Sequence, residues 1–289
     1  MNKSIAIIGM LVLISGVSGC SNLASVRTFA KDTEALSSSV NQLANETGAS
    51  CTRRLTNDVA IRGLTGTQRE SAMTVCDDLK KSGALINTVN LILTEYAKAL
   101  ADLSDDKLVT YSAQLDGAKS TLAALKDSGN QPYIEKAKLD GSFSLIDIVL
   151  KASTDAYRQR EIRKLLERHA EVKQVAEFLQ IFIKRGYLGT IQNEAENIES
   201  IQFDLKTEFL KREPIRAREK IEELEQTRQK LVERQKAATE AINGLSAMVK
   251  THEELLKYAE HLDAKELIAA TKEYGQQVYK VQKQLQAAF

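Results

Sequence analysis

Three histidines are the first residues to test for chemistry, because imidazole serves both as a metal ligand and as a general base. A zinc-protease helix carries the motif HExxH, but His252 is followed by Glu-Glu-Leu-Leu, so the second ligand is missing. Di-iron bundles place a glutamate three residues before each histidine, and His169, His252 and His261 all lack one. We therefore predict no metal site. Helical spacing places His169 and His252 toward the interior and His261 at the surface.

Other catalytic signatures are also missing from the sequence. The motifs GxSxG, GxxxxGK and GxGxxG do not occur, and the glycine-rich stretch 63–67 has neither a lysine nor a preceding strand pattern. A cell-wall glycosidase needs two carboxylates in a cleft that is usually lined with aromatic side chains, and this chain has no tryptophan. We predict a protein that is not an enzyme and needs no cofactor, with a cell-wall hydrolase as a remaining alternative.

Cys51 and Cys76 are the two cysteines after Cys20, and their thiols could form a disulfide or bind a metal. Neither belongs to a CxxC motif, and the nearest histidine in sequence is the distant His169, so further zinc ligands are lacking. In an exported protein, two such cysteines meet an oxidising compartment. We predict a Cys51–Cys76 disulfide, with a metal site or a reactive thiol as the alternatives.

The beginning of the chain has the pattern of an export signal. Lys3 is followed by an apolar stretch over residues 5–17 and then by small residues before Cys20. The apolar stretch is shorter than the about 20 residues that a bilayer-spanning helix needs. The four residues from Val17 to Cys20, VSGC, resemble the lipobox of bacterial lipoproteins. This resemblance covers residues 1–21 and assigns no functional family to the rest.

The resemblance implies that residues 1–19 are a removable signal peptide and that Cys20 is the lipid attachment site. More than one acyl chain would then hold the protein stably in a membrane. Ser21, unlike an aspartate, is compatible with sorting to an outer membrane, so the expected location is the bacterial cell envelope, at the outer membrane facing the periplasm. An ordinary signal peptide, or an apolar N-terminal helix of a cytosolic protein, is the alternative.

Charge balance excludes one class of partner. The whole chain has 40 basic and 39 acidic residues, and removal of residues 1–19 takes away Lys3, which leaves 39 of each. A nucleic-acid-binding protein would normally show a basic excess, so we predict no nucleic-acid partner. Two prolines and abundant helix-forming residues favour helix throughout.

Heptad spacing gives the fold class. From Ile215 to about Glu260, directly after Pro214, apolar residues alternate by three and four, which predicts a helix close to 70 Å long. No compact domain hides a helix of that length. We predict an all-α, elongated helical bundle with long antiparallel coiled-coil-like helices. The alternative is an amphipathic bundle of curved, interrupted helices.

Turn signals divide the mature chain into two predicted regions. Residues 20–140 form a disulfide-stapled helical bundle region, and residues 141–289 form a long-helix coiled-coil-like region. The boundary rests on the turn signal Asp-Gly-Ser at 140–142. A break is also expected at 48–50, and a single long helix over 143–185.

One cluster of basic residues is a candidate for partner binding: Arg158, Arg160, Arg163, Lys164 and Arg168. A second group can join it to form one basic surface: Lys211, Arg212, Arg216, Arg218 and Lys220. Such a surface would meet an acidic partner or lipid headgroups. The alternative is a solvated helix face on which these residues pair with neighbouring glutamates.

These observations together predict a lipid-anchored helical envelope protein that acts as a binding scaffold, adaptor or accessory subunit. Its partners would be the membrane, through the lipid anchor, and another envelope protein or a second copy of itself. An exclusion or immunity lipoprotein that blocks a receptor or toxin is the alternative. A self-assembled structural rod also remains open.

Overall fold

The computed structural model describes residues 23–105, 107, 113–124, 136–152 and 158–289. Within these ranges the regular structure is entirely helical, which confirms the predicted all-α class. Two π-helical segments, Phe182–Tyr187 and Leu205–Phe209, join α6 to α7 and α7 to α8. The helices are α1 (Ala24–Arg62), α2 (Gly66–Ser104), α3 (Ala113–Ala124), α4 (Lys136–Ala152), α5 (Arg158–Leu166), α6 (His169–Ile181), α7 (Leu188–Asp204), α8 (Leu210–Arg212), α9 (Pro214–Lys257) and α10 (Lys265–Ala288).

Helices α1 and α2 form an antiparallel hairpin, and each has 39 residues, or about 58 Å at about 1.5 Å per residue. Asn90 Nδ2 donates to the Ser37 carbonyl at 2.6 Å in the middle of the hairpin. Apolar side chains at spacings of three and four bury one stripe of each helix against the other. The fully buried members include Phe29, Leu36, Val40, Leu43, Val89, Ile92, Leu93, Tyr96 and Leu100.

The predicted break at residues 48–50 is wrong, because α1 continues through them to Arg62. Gly48 is buried, and a Cβ atom there would collide with the side chain of Lys80 on α2. The glycine therefore lets two helices approach closely instead of ending one. The hairpin turns at Gly63, whose φ of 66° is the left-handed conformation that glycine adopts readily at a helix end.

Cys51 and Cys76 are joined in a disulfide that links α1 to α2, which confirms the predicted pairing. Their Cα atoms lie 5.4 Å apart, so the two helices are in close contact at this level. The bond closes a loop with a sequence separation of 25 residues. A loop of this length contributes about 3 kcal/mol to the free energy of unfolding through chain entropy.

The predicted turn at residues 140–142 is also wrong, because α4 continues through them. Gly141 is buried against Gln174 of α6, so here too a glycine marks helix packing. Side chains from residues 20–140 and from 141–289, the two predicted regions, contribute to one hydrophobic core.

The single helix predicted over 143–185 is wrong as well, because its described part is divided among α4, α5 and α6. The break between α5 and α6 falls at Glu167 and Arg168. There the Leu165 carbonyl accepts a hydrogen bond from the Tyr96 hydroxyl at 3.0 Å. The same carbonyl also accepts a backbone hydrogen bond from Arg168 at 3.0 Å, so α5 ends here in an i to i−3 turn.

Helices α6 to α8 and their π segments form one rod that runs antiparallel to α9. Helix α9 begins with Pro214 in its first turn, as predicted, and its 44 residues span about 66 Å. Three side-chain contacts between rod and helix fix the direction: His169 Nδ1 to His252 Nδ1 at 3.1 Å, Gln180 Nε2 to the Ile242 carbonyl at 3.1 Å, and Gln202 Nε2 to the Ile221 carbonyl at 3.4 Å.

Helix α10 folds back against α9, which completes the predicted antiparallel arrangement. At the C-terminus of the chain, the Arg234 guanidinium lies 5.0 Å from the centre of the Phe289 ring. Helix α10 therefore packs along the second half of α9, whereas the rod contacts α9 from Ile221 to His252. Every seventh residue of the α9 seam is buried: Leu224, Leu231, Ala238, Leu245 and His252.

Candidate functional site

One end of the bundle contains the start of α1, and the opposite end contains the end of α1. At the proximal end, where α1 begins directly after Leu23, Arg27 donates to the Ser104 carbonyl at the end of α2. At the other end, Arg62 closes α1 and contacts Ser200 and Asp204 near the end of α7. We call the chain segment 203–220, which turns beside Arg62, the distal tip. It lies about one α1 length, about 58 Å, from Leu23.

The distal tip exposes three large apolar side chains. Phe203 is 65% exposed, Phe209 36% and Ile215 73%. The backbone explains why they are concentrated here, because Pro214 cannot donate the hydrogen bond that would continue the rod. The chain reverses at Glu213, where φ is −133° and ψ is 68°. Phe203 and Phe209 precede this reversal, and Ile215 follows it. Exposed aromatic and aliphatic groups of this size are typical of interaction surfaces when they occur together.

Cations without ion-pair partners accompany these apolar side chains. In the described part of the chain, Lys211, Arg212 and Arg218 make no side-chain hydrogen bond or ion pair, although all three are exposed. By contrast, Arg216 pairs with Glu213 at 3.2 Å in the same segment. A partner with acidic side chains would gain charge-assisted contacts at this tip.

The basic cluster predicted for partner binding lies at the proximal end and is largely paired with acidic residues. Arg163 contacts Glu260 next to the α9–α10 turn. Lys164 lies 2.6 Å from Glu161, and Arg168 lies 3.3 Å from Glu171. Arg160 approaches Glu161 at 3.7 Å. The side chain of Arg158 lies outside the described residues. The role of this cluster in binding stays a prediction, but its described charges have acidic neighbours, which Lys211, Arg212 and Arg218 at the distal tip lack.

A buried charge network joins α1, α7 and α9 midway along the bundle. The Glu194 carboxylate is fully buried and receives two hydrogen bonds from Arg53, at 2.7 and 2.9 Å, and one from Ser50 at 2.6 Å. Arg53 and Arg234 both reach Glu46, at 2.5 and 3.3 Å. Two carboxylates and two guanidiniums therefore compensate one another inside the helix bundle.

Tyr187 lies beside this network, at the end of the first π segment. Its side chain is fully buried, and its hydroxyl has no hydrogen-bond partner among the described residues. Burial raises the pKa of this phenol above its ordinary value, so it remains neutral. The network therefore cross-links α1, α7 and α9.

The two interior histidines form a second buried cluster, near the proximal end. The Tyr96 hydroxyl lies 2.5 Å from His252 Nε2 and donates to Leu165, while His252 Nδ1 lies 3.1 Å from His169 Nδ1. One proton arrangement satisfies every group: His252 donates from Nε2 to Tyr96 and accepts at Nδ1 from His169. Both histidines are thus used as structural hydrogen-bonding groups.

Burial, with a smaller contribution from the adjacent His169, lowers the pKa of His252 to about 3. A neutral imidazole with both nitrogens occupied has no free position for catalysis or metal binding. Within the described ranges, no group of histidine, cysteine and acidic residues has the geometry of a metal site. His261 is exposed, as predicted.

The distal tip is thus the described surface with the strongest character of a binding site. No protein-family model, curated protein or solved structure matches this chain. No described helix combines the length and the apolar character that crossing a membrane requires. The single basic surface that would join Lys211, Arg212 and Arg218 to the cluster at 158–168 is wrong, because the two groups lie at opposite ends of the bundle. Sequence reasoning also did not identify the exposed apolar residues of the distal tip. Pro214 was the one available signal, because it located the reversal of the chain.

Proposed function

We propose that this protein is a lipid-anchored envelope adaptor, which is held in the outer membrane through Cys20 and binds a protein partner with its distal tip. It acts by binding, without catalysis. The observation that carries the proposal is the combination of exposed apolar side chains and unpaired cations at the end of the bundle opposite Leu23. Contact of exposed apolar side chains with water is unfavourable, and a complementary protein that buries them lowers the free energy of the system.

The position of the anchor supports this arrangement. Only Ser21 and Asn22 separate Cys20 from Leu23, so the proximal end of the bundle would sit close to the lipid surface. The long bundle then carries the distal tip about 58 Å away, beyond the headgroups. An adaptor needs this separation, because its two attachment points have to reach different components.

The side chains of the tip also indicate the chemistry of the partner. Phenylalanine and arginine are enriched in the centres of protein interfaces, and arginine is frequent among the residues that provide most of the binding energy. Phe203, Phe209 and Ile215 would fill an apolar depression, and Lys211 and Arg212 would meet acidic residues at its rim. The expected partner is a periplasmic face of an envelope protein with an apolar centre and an acidic border.

Replacing Cys20 with serine is expected to abolish acyl labelling of the protein and to release its folded body from membranes. The physical reason is that acyl chains supply the membrane affinity, at about 0.8 kcal/mol per buried methylene group. The measurement is metabolic labelling with an alkyne fatty acid, followed by membrane fractionation. The double variant Cys51→Ser, Cys76→Ser is the control, since it removes the other cysteines and should keep its label. Continued labelling of the Cys20→Ser protein would contradict the anchor assignment.

A further inference from the structure

A groove between α1 and α2 lies on the distal half of the bundle and is separate from the distal tip. Its volume is about 340 Å³, near the lower end of the about 300–1,000 Å³ that is typical of ligand pockets. Leu55 and Val59 of α1 and Met73 of α2 provide an apolar lining, and the disulfide residue Cys76 also lines the groove. We call this feature the α1–α2 groove.

The apolar side chains that line the groove are incompletely covered. Leu55 and Val59 are only half-buried, and Met73 is 46% exposed. Apolar side chains at equivalent seam positions in the proximal half of the hairpin are fully covered. The groove thus presents apolar surface that nothing in the described part of the chain covers.

The dimensions of the groove restrict its occupant. Arg69 and Lys80, which both line it, are separated by about 16 Å along α2, at about 1.5 Å per residue. A volume of about 340 Å³ spread over that length is too narrow for a helix, which is about 10–12 Å wide with its side chains. One extended hydrocarbon chain has the matching shape.

The charges of the groove indicate where the polar end of such a ligand would lie. Lys80 is paired with Asp77 at 3.1 Å, so its charge is compensated. Arg69 makes no ion pair or side-chain hydrogen bond within the described ranges. The groove therefore has one uncompensated cation, at the end away from the disulfide. A planar guanidinium in this position binds a carboxylate through two parallel hydrogen bonds.

We propose that the α1–α2 groove binds a single-chain anionic amphiphile of the fatty-acid class. The apolar chain lies against Leu55, Val59 and Met73, and the carboxylate pairs with Arg69. This site is independent of the distal tip and of the anchor at Cys20, so it stands or falls separately from the proposed function.

The test is a fluorescence titration of the full chain, carrying Cys20→Ser so that no acyl chain of its own competes, with 11-(dansylamino)undecanoic acid. We expect saturable binding of one probe per chain. Arg69→Gln should raise the dissociation constant about tenfold, because one charge-assisted interaction is lost. Met73→Asp should abolish saturable binding, since it places a charge in the apolar lining. The uncharged amide of the same probe should bind about as weakly to the parent as the acid binds to Arg69→Gln.

Two control variants are matched to these positions. Arg54→Gln removes a guanidinium from the same hairpin outside the groove, and Val75→Asp adds a carboxylate on α2 at a residue that is 51% exposed. Both should bind the probe like the parent. Absence of saturable binding to the parent would overturn the proposal. Equal affinities of Arg69→Gln, Met73→Asp and the controls would overturn it too, because the probe would then be bound elsewhere.

Discussion

Replacing Arg53 with methionine is expected to lower the free energy of unfolding by about 3 kcal/mol, because it leaves a buried charge without its main partner. Arg53 provides two of the three hydrogen bonds that the fully buried Glu194 carboxylate receives. Methionine retains much of the aliphatic stem, so packing changes little. After the substitution, Glu194 has to keep a desolvated charge with Ser50 alone or bind a proton. The measurement is urea-induced unfolding, followed by circular dichroism.

Two further variants separate loss of the ion pair from loss of packing. Arg54→Met changes the adjacent, half-buried arginine, which is not part of the network, and should cost less than about 1 kcal/mol. The double variant Arg53→Met, Glu194→Leu removes both charges and should recover most of the stability that Arg53→Met loses. A loss in Arg53→Met no larger than that in Arg54→Met would show that the network does not stabilise the bundle.

Acidification from pH 6.5 to pH 3 is expected to destabilise the bundle through His252, by about 4 kcal/mol at the lower pH. The pKa of His252 is about 3 in the folded protein, against 6.5 when the residue is exposed. Between these values the unfolded chain binds a proton that the folded chain excludes, so the free energy of unfolding falls as the pH falls. A proton on His252 Nδ1 would also face the N–H of His169.

Asp32 contributes in the opposite direction over part of the same range. Burial raises the pKa of its carboxyl to about 6, so the folded protein binds a proton that the unfolded chain has released. Its effect favours folding at acid pH and partly offsets that of His252. A variant at His252 is therefore needed to isolate the histidine contribution.

The variant His252→Phe removes the titrating group and keeps an aromatic ring beside Phe29, whose ring centre lies 5.8 Å from that of His252. Loss of the hydrogen bonds to Tyr96 and His169 lowers its stability near pH 7. Its stability should nevertheless depend less steeply on pH between 3 and 6.5 than that of the parent. His261→Gln, at the exposed histidine, should leave the parent profile unchanged. Identical pH profiles for His252→Phe and the parent would contradict this assignment.

Periodicity in the sequence was sufficient to predict the architecture, because the seam of a long helix is a local pattern. The heptad from Leu224 to His252 and the start of α9 at Pro214 were both readable from residue spacing. The disulfide was predictable too, since Cys51 and Cys76 lack other partners in the sequence. Each of these features depends on residue types at fixed short intervals or on simple elimination.

Helix ends marked by glycine were predicted less well, because glycine has two structural uses. At Gly63 it permits a positive φ and ends α1, whereas at Gly48 it permits close contact with Lys80. The sequence around both residues is polar and compatible with a turn. Only the position of the neighbouring helix decides between the two uses, and that position depends on residues far away in the chain.

The buried network and the distal tip were beyond sequence reasoning for a related reason. Glu194 resembles the many exposed glutamates of the chain until Arg53, distant in sequence, is placed against it. Similarly, Phe203 follows a helical apolar stripe and would be assigned to the core by pattern alone. It is 65% exposed because the rod ends soon after it and no other described helix covers that face.

The most direct test of the proposed function is photocrosslinking in the native host, with a photoreactive amino acid at Phe203, Phe209 or Ile215 of the full chain. Controls carry the same probe at Ile268 or Tyr279, which are 52% and 58% exposed on α10. We expect one recurrent envelope protein among the adducts from the distal tip, absent from the controls and reduced by Lys211→Glu with Arg212→Glu. Crosslinking of the same proteins in equal amounts from tip and control positions would contradict the proposal that the distal tip binds a partner. The absence of any crosslinked protein from the tip would contradict it too.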